Sequence, residues 1–264
     1  MRSTTSRNNI GIKILKVVIP LAFWLGVWQL AALLLDQKTG GHGTLLLPAP
    51  RLVVERLCAL AVQAEFWRTA VVSLGRIFSG FAAGAAAGTV AAVLTSVCRP
   101  AHWVLAPAVK VVRAVPVASF IVLVLLWSPT TGLVPAIVSA LMVLPVVWAS
   151  VCKGINQTDP QLLEAARAYR FGRARTVRLV YLPSVQPYFA SGCATALGLA
   201  WKAGVAAEVL CQPALAIGTQ LYRSKITLET ADLFAWTGVV IILSFLLEGV
   251  LALLFRRLGR GESL

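Results

Sequence analysis

The chain has 264 residues, 58% of them hydrophobic and 13% charged, with a formal net charge of +14. A soluble globular domain carries about 25% charged and about 45–50% apolar residues, so an ordinary soluble fold is excluded. The Lys and Arg excess sits mainly between and outside long apolar runs, which argues against a nucleic-acid surface and fits segments facing an anionic membrane leaflet.

Taken in chain order, the sequence predicts an all-α polytopic membrane protein with six transmembrane helices, each of about 20 mostly apolar residues. Arg2, Arg7, Lys13 and Lys16 mark a tail at 1–16. The first apolar run, 17–35, holds Trp24 and Trp28 and exceeds the about 7–15 residues of a signal-peptide core, so it reads as an uncleaved span. A loop rich in Gly and Pro follows. Leu52, Val53, Leu57, Leu60 and Ala61, beside Arg51, Glu55, Arg56 and Glu65, predict a short amphipathic surface helix over 51–66. The second span, 69–97, carries Gly80, Gly84 and Gly88, a G-x-x-x-G ridge that lets another helix approach closely. Spans three and four, 104–127 and 132–151, are divided by Ser128-Pro129-Thr130-Thr131-Gly132. Spans five and six are 184–207 and 233–255, and 258–264 is a tail. Residues 17–257 thus form one transmembrane domain, whose Pro107, Pro116, Pro135, Pro145 and Pro187 predict kinks.

With the N-terminus in the cytoplasm, the inside segments hold 14 Lys and Arg and the outside segments 6. The positive-inside rule therefore places both termini in the cytoplasm. Cys58, Cys98, Cys152, Cys193 and Cys211 form no C-x-x-C pair, and His42 and His102 stand alone. No metal site is expected.

The inside loop 152–183 is long and patterned. Asp159 suits a helix N-cap, Pro160 the first helical position and Gly172 the stop, so a helix of about 160–170 is predicted outside the membrane. Its apolar side is Leu162, Leu163, Ala166 and Tyr169, followed by Arg167, Arg170, Arg173, Arg175 and Arg178. Such a helix either enters a partner's groove or rests on anionic headgroups.

This segment resembles the EAA loop of ABC-importer permeases: Glu164-Ala165-Ala166, then Val180, Leu182 and Pro183 at matching spacing. One position departs, since Arg170 stands where the loop has glycine; Gly172 is expected to take over the turn. Leu47-Pro48-Ala49-Pro50, Ser73-Leu74-Gly75-Arg76, and Ala200-Trp201-Lys202 with Ala207-Glu208 look like the nitrate, sulfonate and taurine group, so the resemblance covers about residues 45–257. It implies a type I ABC-importer permease fold. Two copies, as a homodimer, would enclose a pathway, and an extracytoplasmic solute-binding protein would deliver a small anion such as a sulfonate or nitrate, with a vitamin precursor as the alternative. Glu164, Ala165, Ala166, Arg167, Tyr169, Arg170, Gly172, Leu182 and Pro183 would couple the chain to ABC ATPase subunits. The chain has no G-x-x-x-x-G-K-[ST], so ATP and Mg would act on that partner, and this chain is expected to bind no cofactor and to be no enzyme.

Charges inside spans need partners or water. Arg76, Lys110 and Arg113 lie near span ends, where long side chains snorkel. Lys202 and Glu208 are six residues apart, about 240° around a helix, so they face different ways. For Trp201, Lys202 and Glu208 two readings stand: lining of the solute pathway, or structural pairing. An ion-coupled secondary transporter, an intramembrane enzyme and a scaffold without transport activity are the competing classes.

Overall fold

The computed structural model describes residues 5–40 and 42–259, without the side chains of 5–15, 17 and 256–259. Residues 1–4 and 260–264 of the two expected tails lie outside the described residues. Every regular element among the described residues is helical: α1 (Thr5–Lys38), α2 (Pro50–Ala61), α3 (Ala64–Val97), α4 (Arg99–Ala114), α5 (Val117–Trp127), α6 (Val134–Asn156), α7 (Pro160–Ala168), α8 (Arg173–Thr176), α9 (Leu182–Cys211), α10 (Ile217–Ile226) and α11 (Thr230–Gly259). A 3-10 turn at Gly43–Leu45 and a π turn at Val177–Tyr181 complete the set.

Among the described residues, five stretches are long and apolar enough to cross a membrane: Val18–Lys38, Ala64–Val97, Val134–Asn156, Arg173–Cys211 and Thr230–Phe255. A sixth exists only if α4 and α5 are taken together, and they are bent by 108°. The kink expected at Pro116 within the span 104–127 is this break, with α4 and α5 on either side of it. Pro116 lacks an N–H and drives the residue before it out of the helical region. Val115 (ψ 131°) and Pro116 (ψ 137°) are accordingly both extended. α5 alone has 11 residues, about 16 Å of helix against a hydrocarbon core of about 30 Å. The surface helix expected over 51–66 is also shorter. It ends at Ala61, and Glu65 instead opens α3, where a carboxylate favours the positive helix N-terminus.

The chain divides into two compact units. The first comprises Met1–Phe66 and Gln220–Val239. Here the Trp28 indole donates to the Pro48 carbonyl at 3.1 Å and stacks on Phe234 at 5.7 Å. Phe66 packs on Trp236 with ring centres 5.0 Å apart. Arg56 makes a two-point ion pair with Asp232, Nη2 donating to Oδ2 at 2.7 Å, which raises the Arg56 pKa through that hydrogen bond.

The second unit comprises Trp67–Thr219 and Val240–Leu264. The glycine ridge does there what its spacing predicts. A Cβ at Gly84 would come within 2.5 Å of the Ala140 carbonyl oxygen, and one at Gly88 within 2.7 Å of that of Leu144, so α3 lies directly on the α6 backbone. α6 in turn runs antiparallel to α9: Gly154 meets Val185 and Tyr188, Gly192 meets Ser150, and the Ser139 hydroxyl donates to the Ala200 carbonyl at 3.1 Å. Ile121, Val124, Val134, Val138, Ala203 and Ala207 close the core between α5, α6 and α9.

Candidate functional site

α7 begins as its sequence dictates. Asp159 is extended, its carboxylate accepts from the Gln161 amide at 2.8 Å, and Pro160 occupies the first turn. Its end corrects the expectation for Gly172. The helix stops at Ala168, and Arg170, not Gly172, adopts the left-handed conformation (φ 53°). The Phe171 amide donates to the Ala166 carbonyl and the Arg170 amide to the Arg167 carbonyl, both at 2.9 Å. That pair of bonds is a Schellman motif with arginine at the position that glycine usually fills. Gly172 is extended (φ −64°, ψ 159°) and opens α8. Phe171 packs beside the turn: its ring lies 6.3 Å from Tyr169, and the Arg175 guanidinium sits 4.5 Å over its face.

Only Ala166 of the expected coupling set is buried; Glu164, Ala165, Arg167, Tyr169, Arg170, Gly172, Leu182 and Pro183 are exposed. Leu162 and Tyr169 are 50% and 77% exposed. α8 continues through the π turn directly into α9. Pro183 lacks the N–H that the carbonyl four residues earlier would take, and the wide turn sits just before it. The Ser184 hydroxyl donates to the Val180 carbonyl at 2.7 Å, one residue beyond the carbonyl that Pro183 leaves without a donor.

A second constellation forms at the other end of α9. Glu208 is fully buried. Its Oε2 accepts from the Ser73 hydroxyl at 3.0 Å and from the Gly218 amide at 3.1 Å, while the Ser73 oxygen accepts from the Ile217 amide at 2.9 Å. The start of α10 therefore aims its N–H groups at a carboxylate, a favourable polarity. Arg76 donates to the Ala214 and Leu215 carbonyls at 2.9 and 3.2 Å. These bonds clamp a connection in which Gln212 (φ 47°) and Leu215 (φ 50°) are left-handed. The Ser73–Arg76 and Ala207-Glu208 stretches, read as separate signals in the sequence, thus meet.

Trp201 and Glu208 do not line an open surface of this chain. Trp201 is 1% exposed and its indole donates to the Val240 carbonyl at 3.0 Å. Lys202, next along α9, is exposed. Among the described residues no three of His, Cys, Asp and Glu gather to hold a metal.

Residues 80–260 match the family described as "Binding-protein-dependent transport system inner membrane component". The chain is 26% identical over 256 residues to the taurine transport system permease protein TauC of Escherichia coli, covering 95% of this chain and 90% of that one. It is 25% identical to the putative aliphatic sulfonates transport permease protein SsuC of Bacillus subtilis, covering 86% and 83%. Among solved structures, an amino acid ABC transporter with histidines superposes with a TM-score of 0.58 at 18% identity, covering 72% of this chain and 90% of that chain; this similarity concerns the fold alone.

Proposed function

The chain belongs to the family of binding-protein-dependent transport system inner membrane components, and from that membership we propose that α7 is the element through which a separate ATPase drives solute import. The protein is a multi-pass ABC-importer permease of the nitrate, sulfonate and taurine group, a transport subunit and not an enzyme. ATP and Mg act on the partner. The observation that carries the proposal is α7 itself. It is capped at both ends from within the chain, it lies outside the long apolar stretches, and it leaves Leu162 and Tyr169 uncovered. A rigid, exposed knob is what a groove on another subunit can grip.

In this reading the loop 152–183 and both termini face the cytoplasm, and a solute-binding protein docks on the opposite side. Two copies form a homodimer around the pathway. A lysine facing lipid at the bilayer centre costs about 2.5–3.5 kcal/mol, so exposed Lys202 faces that pathway, where its charge favours a small anion such as a sulfonate. Trp201 and Glu208 hold α9 behind it.

The test is affinity purification from native membranes in mild detergent, the wild type beside Glu164→Arg, with mass spectrometry of what co-purifies. An ATPase carrying a Walker A motif should accompany the wild type and be lost from the variant. Equal recovery with both would remove α7 from the coupling. If no ATPase appeared while a known complex stayed intact, ion-gradient-driven uptake would become the assay, since it reports a secondary transporter.

A further inference from the structure

Two cavities share a wall at the α7 end of the second unit. One, about 360 Å³, lies between α7 and the π turn; Leu163, Ala166 and Phe171 supply its apolar lining, and Arg167, Arg173 and Thr176 its polar lining. The other, about 320 Å³, is lined by Val93 and Val97 of α3, Val151 and Ile155 of α6, and Leu182 and Val185 of α9. Val177 and Tyr181 of the π turn line both. Each volume is in the range of small-molecule sites, roughly 300–1,000 Å³.

The chemistry changes sharply across the shared wall. The Thr89 and Ser96 hydroxyls, which also line the second cavity, donate to the Ala85 and Ala92 carbonyls of their own helix. They offer no free donor, so that cavity behaves as an apolar groove. Its walls belong to three of the stretches apolar enough to cross a membrane. The first cavity is different. Arg167 and Arg173 are exposed, and neither pairs with a carboxylate among the described residues. Guanidinium groups bind phosphate oxygens through paired, charge-assisted hydrogen bonds.

An apolar slot between three apolar stretches, set against a doubly cationic recess across the Val177 and Tyr181 wall, is complementary to one kind of molecule that can straddle that wall. We propose that the two cavities hold an anionic phospholipid, its phosphate between Arg167 and Arg173 and an acyl chain in the groove between α3, α6 and α9. A soluble partner could engage the arginines but has no means of reaching the groove. A zwitterionic lipid fills the groove equally well but leaves a positive charge uncompensated. The bound lipid ties α7 to the spans from its inner side, while Leu162 and Tyr169 stay free on the outer side. The inference needs only that the chain resides in a membrane, so failure of the transport reading would leave it standing.

The test is native mass spectrometry of the full chain released from nanodiscs of equimolar phosphatidylglycerol and phosphatidylcholine. The wild type should retain one phosphatidylglycerol in preference to phosphatidylcholine. Juxtamembrane basic groups contribute about 1 kcal/mol each, about fivefold in affinity, so the double variant Arg167→Gln, Arg173→Gln should lower that preference about 25-fold. Both substitutions are at exposed positions, and the melting temperature checks that the variant is folded. Val93→Trp fills the groove with both arginines intact and should displace both lipids. Equal retention of the two lipids by the wild type would overturn the proposal, as would an unchanged preference in the double variant. Loss of a dimer in Val93→Trp with lipid retention unaltered would assign the groove to a second copy of the chain instead.

Discussion

Arg170→Gly should strengthen the turn that ends α7, although it deletes a charged side chain from the segment we propose as the ATPase contact. An L-residue held left-handed loses about 1–2 kcal/mol relative to its right-handed conformation. Glycine avoids that strain but gives back about 0.4–1 kcal/mol through the freedom of the unfolded chain. The net gain is about 1 kcal/mol, close to fivefold in the opening equilibrium. Two amides report it directly, because Phe171 and residue 170 donate the 2.9 Å bonds of the Schellman motif. Hydrogen exchange of the α7–α8 segment in nanodiscs should show these amides about fivefold better protected in Arg170→Gly. In Arg170→Val, where a β-branched residue is forced left-handed, they should exchange about tenfold faster. If all three proteins exchanged alike, the turn would be held by the Phe171 contacts with Tyr169 and Arg175, and the reasoning from backbone strain would be refuted.

The Glu208 cluster should be the most sensitive polar site. Glu208→Leu removes the acceptor of two buried hydrogen bonds and should lower stability by about 3 kcal/mol or more, whereas Ser73→Ala should cost about 1–2 kcal/mol. Thermal unfolding in detergent should show the double variant losing less than the two singly summed. Gly84→Leu should abolish monodisperse protein in size-exclusion chromatography, since its Cβ meets the Ala140 carbonyl oxygen and overpacking costs about 3 kcal/mol or more in such a place. Gly75→Ala meets nothing within 4 Å and should raise stability by up to about 1 kcal/mol through helix propensity. The Arg56–Asp232 pair has side chains 46% and 12% exposed. A double-mutant cycle should therefore give a coupling of only about 1 kcal/mol, falling as salt is raised.

Features that depend on local chemistry were open to reading from the sequence. The glycine spacing on α3 announced a close helix contact because absence of side chains every fourth residue has one geometric meaning. Asp159 and Pro160 announced the start of α7 because a cap is a property of two or three neighbouring residues. The different faces of Lys202 and Glu208, one exposed and one buried, followed from helical rotation. What escaped was non-local or balanced between terms. The 108° break at Pro116 was foreseeable as a kink, but its size depends on packing around α4 and α5. The αL role of Arg170 was hidden because glycine two residues on is the better intrinsic candidate for a left-handed position. Ser73 and Glu208 lie 135 residues apart, and nothing local in either stretch names the other as its partner. The π turn had a signal in Pro183, although proline also ends or begins ordinary helices.

That π turn fixes an angle. It is wider than an α-helical turn by one residue, and along a helix one residue of chain is about 100° of rotation. Arg173 and Arg175 therefore sit about 100° away from the azimuth that an unbroken α-helix would give them relative to Trp201 and Glu208. Chain length and direction become interchangeable at this point. Deleting one residue between Val177 and Tyr181 turns the α8 arginines while leaving α9 seated on α6. Deleting one residue between Gly192 and Lys202 instead swings Glu208 away from Ser73 and brings a neighbour into its place.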